Sequence, residues 1–394
     1  MGHVSADVIA HQQPDWENPA QLDRVRGVLA SCEPLVDFDD VTHLRRLLAR
    51  VAAGVGRVIQ AGDCAEDPAD CTEDHVRRKV GLLHSLADTL RDTSGRPVLR
   101  VGRIGGQFAK PRTRPTELID GVELPVFRGH LVNRPEPNPD ARRPNPLRLL
   151  TGYMAASEIT RRLGWRGDAP RRSTGPTVWT SHEALLIDYE EPLVRELPDG
   201  RRWLSSTHWP WIGERTRQPD SAHVALLAGV ANPLACKVGP AMSADALVDL
   251  CGRLDPDRES GRLTLIARMG ADLVDDRLPA LVAAVTAAGH PAIWLCDPMH
   301  GNTVSTADGA KTRFVGTITA EVRGFRRAVD RAGGIAGGLH LEATPDDVVE
   351  CVTERSELGS GPYTTLCDPR LNPAQAHHVV RAWTRTVQRK EATA

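Results

Sequence analysis

The chain has 394 residues, a formal net charge of −2, 25% charged and 41% hydrophobic residues. This is the make-up of a globular protein with a substantial core, built as one large domain or two medium ones. The near-neutral charge argues against a general polyanion binder, no apolar stretch is long enough to span a bilayer, and eight cysteines are too few for a dense disulfide framework.

The first 50 residues read as a helical extension. Asn18-Pro19-Ala20-Gln21 starts one helix, and Asp40–Leu48 carries apolar residues at helical spacing. The opening Met1-Gly2-His3-Val4-Ser5-Ala6 lacks the basic-then-apolar pattern of a signal peptide, so the expected compartment is the reducing cytoplasm.

From residue 51 to 394 short apolar runs alternate with amphipathic helical stretches. The runs fall at 56–60, 97–104, 176–180, 203–208, 233–238, 262–267, 291–296 and 335–341. Helical patterns fall at 73–91, 149–163, 222–231, 243–253, 277–289, 317–332 and 345–354. The runs are continuously apolar, as in a parallel sheet buried on both faces. About eight such units predict an α/β fold, a (β/α)8 TIM barrel over 51–394 behind the 1–50 extension; an open doubly wound sheet is the alternative. The Pro-rich stretch 134–147 reads as a surface loop.

Nearly every run ends in a reactive or anion-binding group. In chain order these are Asp63-Cys64-Ala65-Glu66, Arg103, Lys110-Pro111-Arg112-Thr113, Glu214-Arg215, Lys237, Arg268, Asp297 with His300, and His340 with Glu342. Cys-Asp-Pro occurs twice, at Cys296–Pro298 and Cys367–Pro369, each after a short apolar run, so Asp368 joins the set. Cys64, His300, Glu342 and Asp368 offer a thiolate, an imidazole and two carboxylates, which suit a borderline divalent ion. Small core filler for the cysteine and a helix cap for the aspartate are the competing readings.

Arg103, Lys110, Arg112, Arg215, Lys237, Arg268, Lys311 and Arg313 put eight cations beside strand ends, which implies a highly anionic ligand. Only five of the 49 cationic residues are lysines. Lys110, Lys237 and Lys311 follow apolar runs and are functional candidates; Lys79, on a helical surface pattern, and Lys390, in the polar tail, read as bland. His377-His378 reads as solvent-facing. No phosphate loop of the GxxxxGK[ST] type is present, and no GxGxxG follows the first strand.

The blocks Gln60–Glu66 (QAGDCAE), Arg103–Arg112 (RIGGQFAKPR), Ser181–Glu190 (SHEALLIDYE), Trp211–Gln218 (WIGERTRQ), Asn232–Pro240 (NPLACKVGP) and Gly261–Gly270 (GRLTLIARMG) carry a family resemblance. Cys296–Thr303 (CDPMHGNT), Lys311–Arg313 (KTR), Gly337–Glu342 (GGLHLE) and Cys367–Asn372 (CDPRLN) continue it in order. The chain resembles the class II, plant-type 3-deoxy-D-arabino-heptulosonate 7-phosphate (DAHP) synthases over about residues 15–385, in a short form. The resemblance implies a transferase on a (β/α)8 barrel that condenses phosphoenolpyruvate with D-erythrose 4-phosphate, the first step of the shikimate pathway. It implies a divalent metal, Mn²⁺ or Co²⁺ first and Zn²⁺, Fe²⁺ or Cd²⁺ next, on Cys64, His300, Glu342 and Asp368. Phosphoenolpyruvate would be held by Arg103, Glu214, Arg215, Lys237 and Arg268, and the sugar phosphate by Lys110, Pro111, Arg112 and Thr113, with Lys311 near the metal. Lys237, Glu214, Arg215 and His300 form the expected catalytic group. The expected partners are the two small-molecule substrates and a second copy of the chain as a dimer, with no nucleic acid and no membrane.

Three departures fall where the aldehyde partner would be sensed. His130 takes an acidic position after Phe127-Arg128-Gly129, Ser221 stands where Gly is usual, and Ala271-Asp272-Leu273 replaces a polar Asn-His-Lys stretch. They make an altered or amino sugar phosphate, or a dedicated specialised pathway, the alternative; a catalytically inactive scaffold is the rival from another class. The short Gly164–Thr177 link, where feedback-regulated members carry an extra helical pair, predicts an enzyme insensitive to tryptophan, phenylalanine and tyrosine.

Overall fold

The computed structural model describes residues 8–166, 177–306 and 309–384. Met1–Ala6, most of Gly164–Thr177 and Lys390 therefore lie outside the described residues. Eight parallel strands close into a barrel: β1 (Arg57–Gly62), β2 (Val98–Arg103), β3 (Val178–Glu183), β4 (Trp209–Ile212), β5 (Leu234–Val238), β6 (Leu263–Ala267), β7 (Ile293–Cys296) and β8 (Ile335–Glu342). Closure comes from β1, whose Gly62 stands opposite Arg103 of β2 on one side and Glu342 of β8 on the other. Strands buried on both faces explain the unbroken apolar runs.

The outer layer is α3 (Glu73–Ser94), α4 (Leu147–Arg162), α5 (Ala222–Ala228), α6 (Ala244–Leu254), α7 (Val274–Ala287), α8 (Val315–Arg331) and α9 (Pro373–Arg381). Their apolar faces pack on the strands in one continuous core. The extension adds α1 (Pro19–Ser31) and α2 (Phe38–Ala52). Between β3 and β4 the chain forms only the short turn Ile187–Leu193 and a hairpin, and α1 packs against that turn and α4, covering the face a third barrel helix would otherwise cover. Helix α2 closes the floor: Leu44, Leu48 and Val51 meet Val58, Val101, Trp209, Ile266 and Leu295 inside the barrel.

Three sequence expectations are corrected. The run 203–208 is not a barrel strand; Arg202–Leu204 pairs antiparallel with Val194–Glu196, and β4 follows at Trp209-Pro210-Trp211-Ile212. The internal Pro210 disguised it, since proline is rare inside sheets. Residues 345–354 are not helical, because buried Glu350 accepts backbone N–H groups from Thr364, Thr365 and Arg370, and these tertiary bonds outweigh local propensity. Tyr363–Leu366 is a loop, so Asp368 reaches the site from the long connection between β8 and α9, ahead of the last helix. Among the described residues no helix is long and apolar enough to cross a membrane.

Candidate active site

The carboxyl ends of the strands deliver the predicted residues to one cavity of about 230 Å³. Its wall contains Arg103, Lys110, Pro111, Arg112, Thr113, Glu214, Arg215, Lys237, Arg268, His300, Lys311, Arg313 and Asp368. All eight strand-end cations therefore line one cavity, together with the three carboxylates Glu183, Glu214 and Asp368. Cys64 and Glu342 are fully buried beside it.

Three of the four proposed metal ligands converge, and the fourth, His300, reaches one of them. Donor atoms of Cys64, Glu342 and Asp368 all lie within 4.8 Å of one another, and His300 Nε2 is 3.3 Å from Glu342 Oε1. Donors sharing one divalent ion at about 2.0–2.3 Å stand at most about 4.6 Å apart, so Cys64, Glu342 and Asp368 fit a borderline ion with small adjustments, whereas His300 must swing towards Cys64 and Asp368 to join them. His300 Nδ1 faces both Asp297 oxygens, at 2.8 and 3.0 Å, which places its proton on Nδ1 and turns the Nε2 lone pair to the ligand set. Burial alone would push the Cys64 thiol up, but a hydrogen bond with Cys367 and the Lys110 ammonium bring it below its ordinary value. The Asp368 N–H also donates to Cys64 Sγ at 3.1 Å. Burial opposes ionisation of Glu342 too, yet His300, Lys110 and Arg313 hold it well below the usual carboxylate range. Lys311 Nζ donates to Asp368 Oδ1 at 2.8 Å, which places this lysine at the metal end.

The opposite wall is built for an anion. Gln60 Oε1 lies 2.6 Å from His340 Nδ1, and His340 Nε2 lies 3.1 Å from Arg103 Nη1. Since Gln60 Oε1 can only accept, the imidazole is neutral with Nε2 accepting from Arg103. Burial, then Lys237 and Arg103, hold it well below its ordinary pKa. Arg103 is thus oriented without losing its charge to that partner, although its Nη2 also reaches Glu342 Oε1 at 3.2 Å. Arg268 Nη2 donates to the His300 carbonyl at 3.1 Å, and Arg215 Nη2 to Thr113 Oγ1 at 2.7 Å. Arg103 Nε, Arg313 Nη2, Glu183 Oε1 and Glu214 Oε2 are buried with no hydrogen-bond partner among the described residues. Unpaired polar atoms are costly in a protein interior and here face the cavity wall. Gly213 leaves the Glu183 carboxylate its place, since a Cβ there would displace that carboxylate.

Lys237 stands between the two walls. Its Nζ lies 2.9 Å from Asp297 Oδ2 and 3.4 Å from His300 Nδ1. Burial pushes its pKa down, Asp297 resists, Arg103 adds to the push, and the balance lies below the ordinary lysine value.

Some functional groups escaped the sequence reading. Asp297 was noted as a strand-end group but given no role; it bridges Lys237 and His300. Lys79 was read as bland, yet it is buried, with Nζ 2.8 Å from Asp63 Oδ2 and 3.5 Å from Glu66 Oε1. Glu66 in turn accepts the N–H groups of Gly105, Gly106 and Gln107, which shapes the loop leading to Lys110. Arg370 joins Asp63 at 2.6 Å to Glu350 at 2.7 Å, tying the Cys64 segment to the Asp368 segment. His377 is half-buried and bonds Thr89 Oγ1 at 2.8 Å, so only His378 faces solvent. Cys367 lies against Cys64, whereas Cys296 packs in the outer core.

None of the three departures lines the cavity. His130 is buried, 3.2 Å from Arg148, and burial lowers its pKa. Ser221 caps α5 through the Val224 N–H. Asp272 and Leu273 are exposed.

The description "Class-II DAHP synthetase family" belongs to a family model that matches residues 4–164 and 161–382. A Pseudomonas fluorescens protein named "Probable phospho-2-dehydro-3-deoxyheptonate aldolase" is 55% identical over 377 residues, covering 95% of this chain and 94% of that protein. The Streptomyces coelicolor "Phospho-2-dehydro-3-deoxyheptonate aldolase" is 38% identical over 425 positions, covering 95% and 94%. Those 425 positions exceed the 394 residues of the chain, so that relative carries insertions absent here. A solved Francisella tularensis phospho-2-dehydro-3-deoxyheptonate aldolase superposes with a TM-score of 0.54 at 13% identity, covering 91% of this chain and 97% of that one, which supports the fold.

Proposed function

The chain belongs to the class-II DAHP synthetase family, and from that premise we propose that it condenses phosphoenolpyruvate with D-erythrose 4-phosphate and water, giving DAHP and inorganic phosphate. The observation that carries this reading is the cavity in which eight cations and His300 line the approach to a Cys/Glu/Asp cluster.

A divalent ion on Cys64, His300, Glu342 and Asp368 would supply Lewis-acid polarisation of the aldehyde oxygen. The protein's own groups account for the rest. Arg103, Arg215, Lys237 and Arg268 hold phosphoenolpyruvate, while Lys110, Arg112 and Thr113 hold the sugar phosphate, so two anions are kept close against their repulsion. C3 of phosphoenolpyruvate bonds to the aldehyde carbon, whose oxygen takes up a proton. Water adds at C2 and loses a proton. The C2 hydroxyl then gives up its proton as the bond from C2 to the bridging phosphate oxygen breaks, leaving a ketone and releasing phosphate, which carries that proton away. Lys237, with its lowered pKa, is the group that gives a proton near the aldehyde or leaving phosphate. Glu214, whose Oε1 is held by Arg217 at 2.6 Å while Oε2 has no partner among the described residues, is the group that handles the proton of the attacking water.

Erythrose 4-phosphate is favoured over an altered or amino sugar because none of the three substituted segments lines the cavity. Insensitivity to aromatic amino acids rests on the short Gly164–Thr177 link, where the family resemblance implies an extra helical pair in feedback-regulated members. Phosphate release from phosphoenolpyruvate, measured with Mn²⁺ or Co²⁺ and a panel of aldoses, tests the reading. Release with erythrose 4-phosphate, unaltered by tryptophan, phenylalanine or tyrosine at micromolar levels, is the expected result. No release with any aldehyde would leave the scaffold reading standing, and mass spectrometry of the product separates an amino-sugar substrate.

A further inference from the structure

We propose that the N-terminal segment around Gln12 is a positioning strap for the sugar-phosphate wall, with Gln12 setting the place of Arg112. This rests on the assignment of Arg112 to the aldose phosphate made above.

The strap is anchored at both ends. The Ile9 carbonyl accepts the Ala222 N–H at 3.0 Å, just past the loop that carries Glu214 and Arg215. Trp16 is buried and donates from Nε1 to Asp188 Oδ2 at 2.9 Å. Between them Gln13 bonds the Leu185 carbonyl and the Ile187 N–H, beyond β3. Eight residues thus cross the carboxyl-end loops of three consecutive strands, β2, β3 and β4.

Gln12 makes the contact with the site. Its Oε1 accepts the Arg112 N–H at 2.8 Å, and its carbonyl accepts Arg128 Nη2 at 2.9 Å. The Arg128 carbonyl in turn accepts the Lys110 N–H at 2.9 Å. One residue therefore fixes the backbone of the Lys110–Thr113 segment from two directions. Both Gln12 acceptors are neutral, so they satisfy donors without cancelling the positive charge of this wall. Arg112 keeps only a distant carboxylate, Glu117, at 3.8 Å. Gln12 also has φ of 62°, a left-handed conformation uncommon for a residue with a side chain. The two hydrogen bonds it makes hold it there. Gln12 does not line the cavity, so it acts through Arg112 rather than on substrate.

The test uses the full-length protein and the variants Gln12→Ala, Gln12→Gly and Arg112→Ala. Gln12→Gly keeps the left-handed backbone accessible and removes only the side-chain acceptor. Both Gln12 variants are expected to raise KM for erythrose 4-phosphate by about three- to tenfold, the scale of one lost hydrogen bond, with kcat and the phosphoenolpyruvate KM within about twofold. Hydrogen exchange over Lys110–Thr113 is expected to quicken in both, and this readout needs no turnover. Unchanged exchange together with unchanged KM in both variants overturns the strap, as does an equal loss in both substrates and kcat. A wild-type enzyme without activity refutes the proposed function, and exchange alone then decides the strap. An unaltered KM in Arg112→Ala refutes the assignment of Arg112 but not the clasp.

Discussion

Lys79→Met removes an ammonium from the protein interior while keeping most of its apolar stem. In the wild type the Nζ lies 2.8 Å from Asp63, 3.5 Å from Glu66 and 3.9 Å from Asp70. Breaking a buried pair by deleting one partner costs about 3–5 kcal/mol, because the other charge stays buried. Asp63 retains Arg370 at 2.6 Å, and Glu66 retains three backbone N–H donors, which favours the lower end, about 3 kcal/mol. With an unfolding entropy of about 2.1 cal/mol/K per residue over 394 residues, near 0.8 kcal/mol/K, the expected fall in Tm is about 4 °C.

The pH dependence gives a second readout. Burial would raise the Asp63 carboxyl, but Lys79 and Arg370 outweigh it and hold it below its ordinary value. A folded-state pKa below the unfolded one gives stability that is complete above about pH 4 and is lost as pH falls. In Lys79→Met the folded pKa moves back up towards the unfolded value, so the part of the acid loss that Asp63 contributes shrinks, and the variant, less stable at neutral pH, loses less than the wild type as pH falls below about 4. Adding Asp63→Asn removes the stranded charge and recovers part of the loss. Thermal melts across about pH 2–8 measure all three proteins. A Lys79→Met variant within about 1 °C of wild type and with the same pH profile would refute the argument that this ammonium offsets buried carboxylates.

Chelation is expected to abolish phosphate release, and Mn²⁺ or Co²⁺ to restore it; Cys64→Ser is expected to need at least about tenfold more metal for half-maximal rate. Activity that survives exhaustive chelation argues against the ligand set. Asp297→Asn removes the charge that holds both Lys237 and His300 Nδ1, so a loss of about 10²-fold or more in kcat and weaker metal binding are expected together. Normal metal affinity in that variant would separate Asp297 from His300. Lys237→Met is expected to lower kcat by at least about 10²-fold, and near-normal turnover removes the lysine from proton transfer.

The barrel was legible because continuous apolar runs and helical periodicity are local properties. The site was legible because each run ended in a cation, an acid or a thiol, and a closed barrel brings strand ends together whatever their order. Lys79 was not legible. Arg77 and Arg78 beside it are surface residues, and the sequence gives no sign that one turn of α3 faces the carboxylates after β1. Glu350 misled for a related reason: its acidic, helical-looking neighbourhood is held in an irregular, bent path by hydrogen bonds to residues 14–20 positions away. Asp368 was found through its tripeptide, but its carrier was misread as a strand, since apolar content cannot distinguish a buried loop from a strand. Gln12 carried no signal at all, because its partners lie 100 or more residues downstream.

These misses share a physical cause, and it explains how a chain of net charge −2 presents a strongly cationic cavity. The carboxylates just behind the wall spend their lone pairs on backbone N–H groups of the site's own loops. Glu66 binds three in the loop before Lys110, Glu350 three around Asp368, and Glu321 the N–H groups of Met269 and Gly270 after Arg268. Where such a carboxylate needs a counter-ion it takes one from the backing layer, Lys79 for Asp63 and Glu66, and Arg370 for Glu350. The negative charge that balances the composition is thereby used to fix loop geometry, one layer removed from the ligand. The wall cations Arg112, Arg215 and Arg268, which make their closest contacts with neutral oxygens or a distant carboxylate, keep their charge for the substrates.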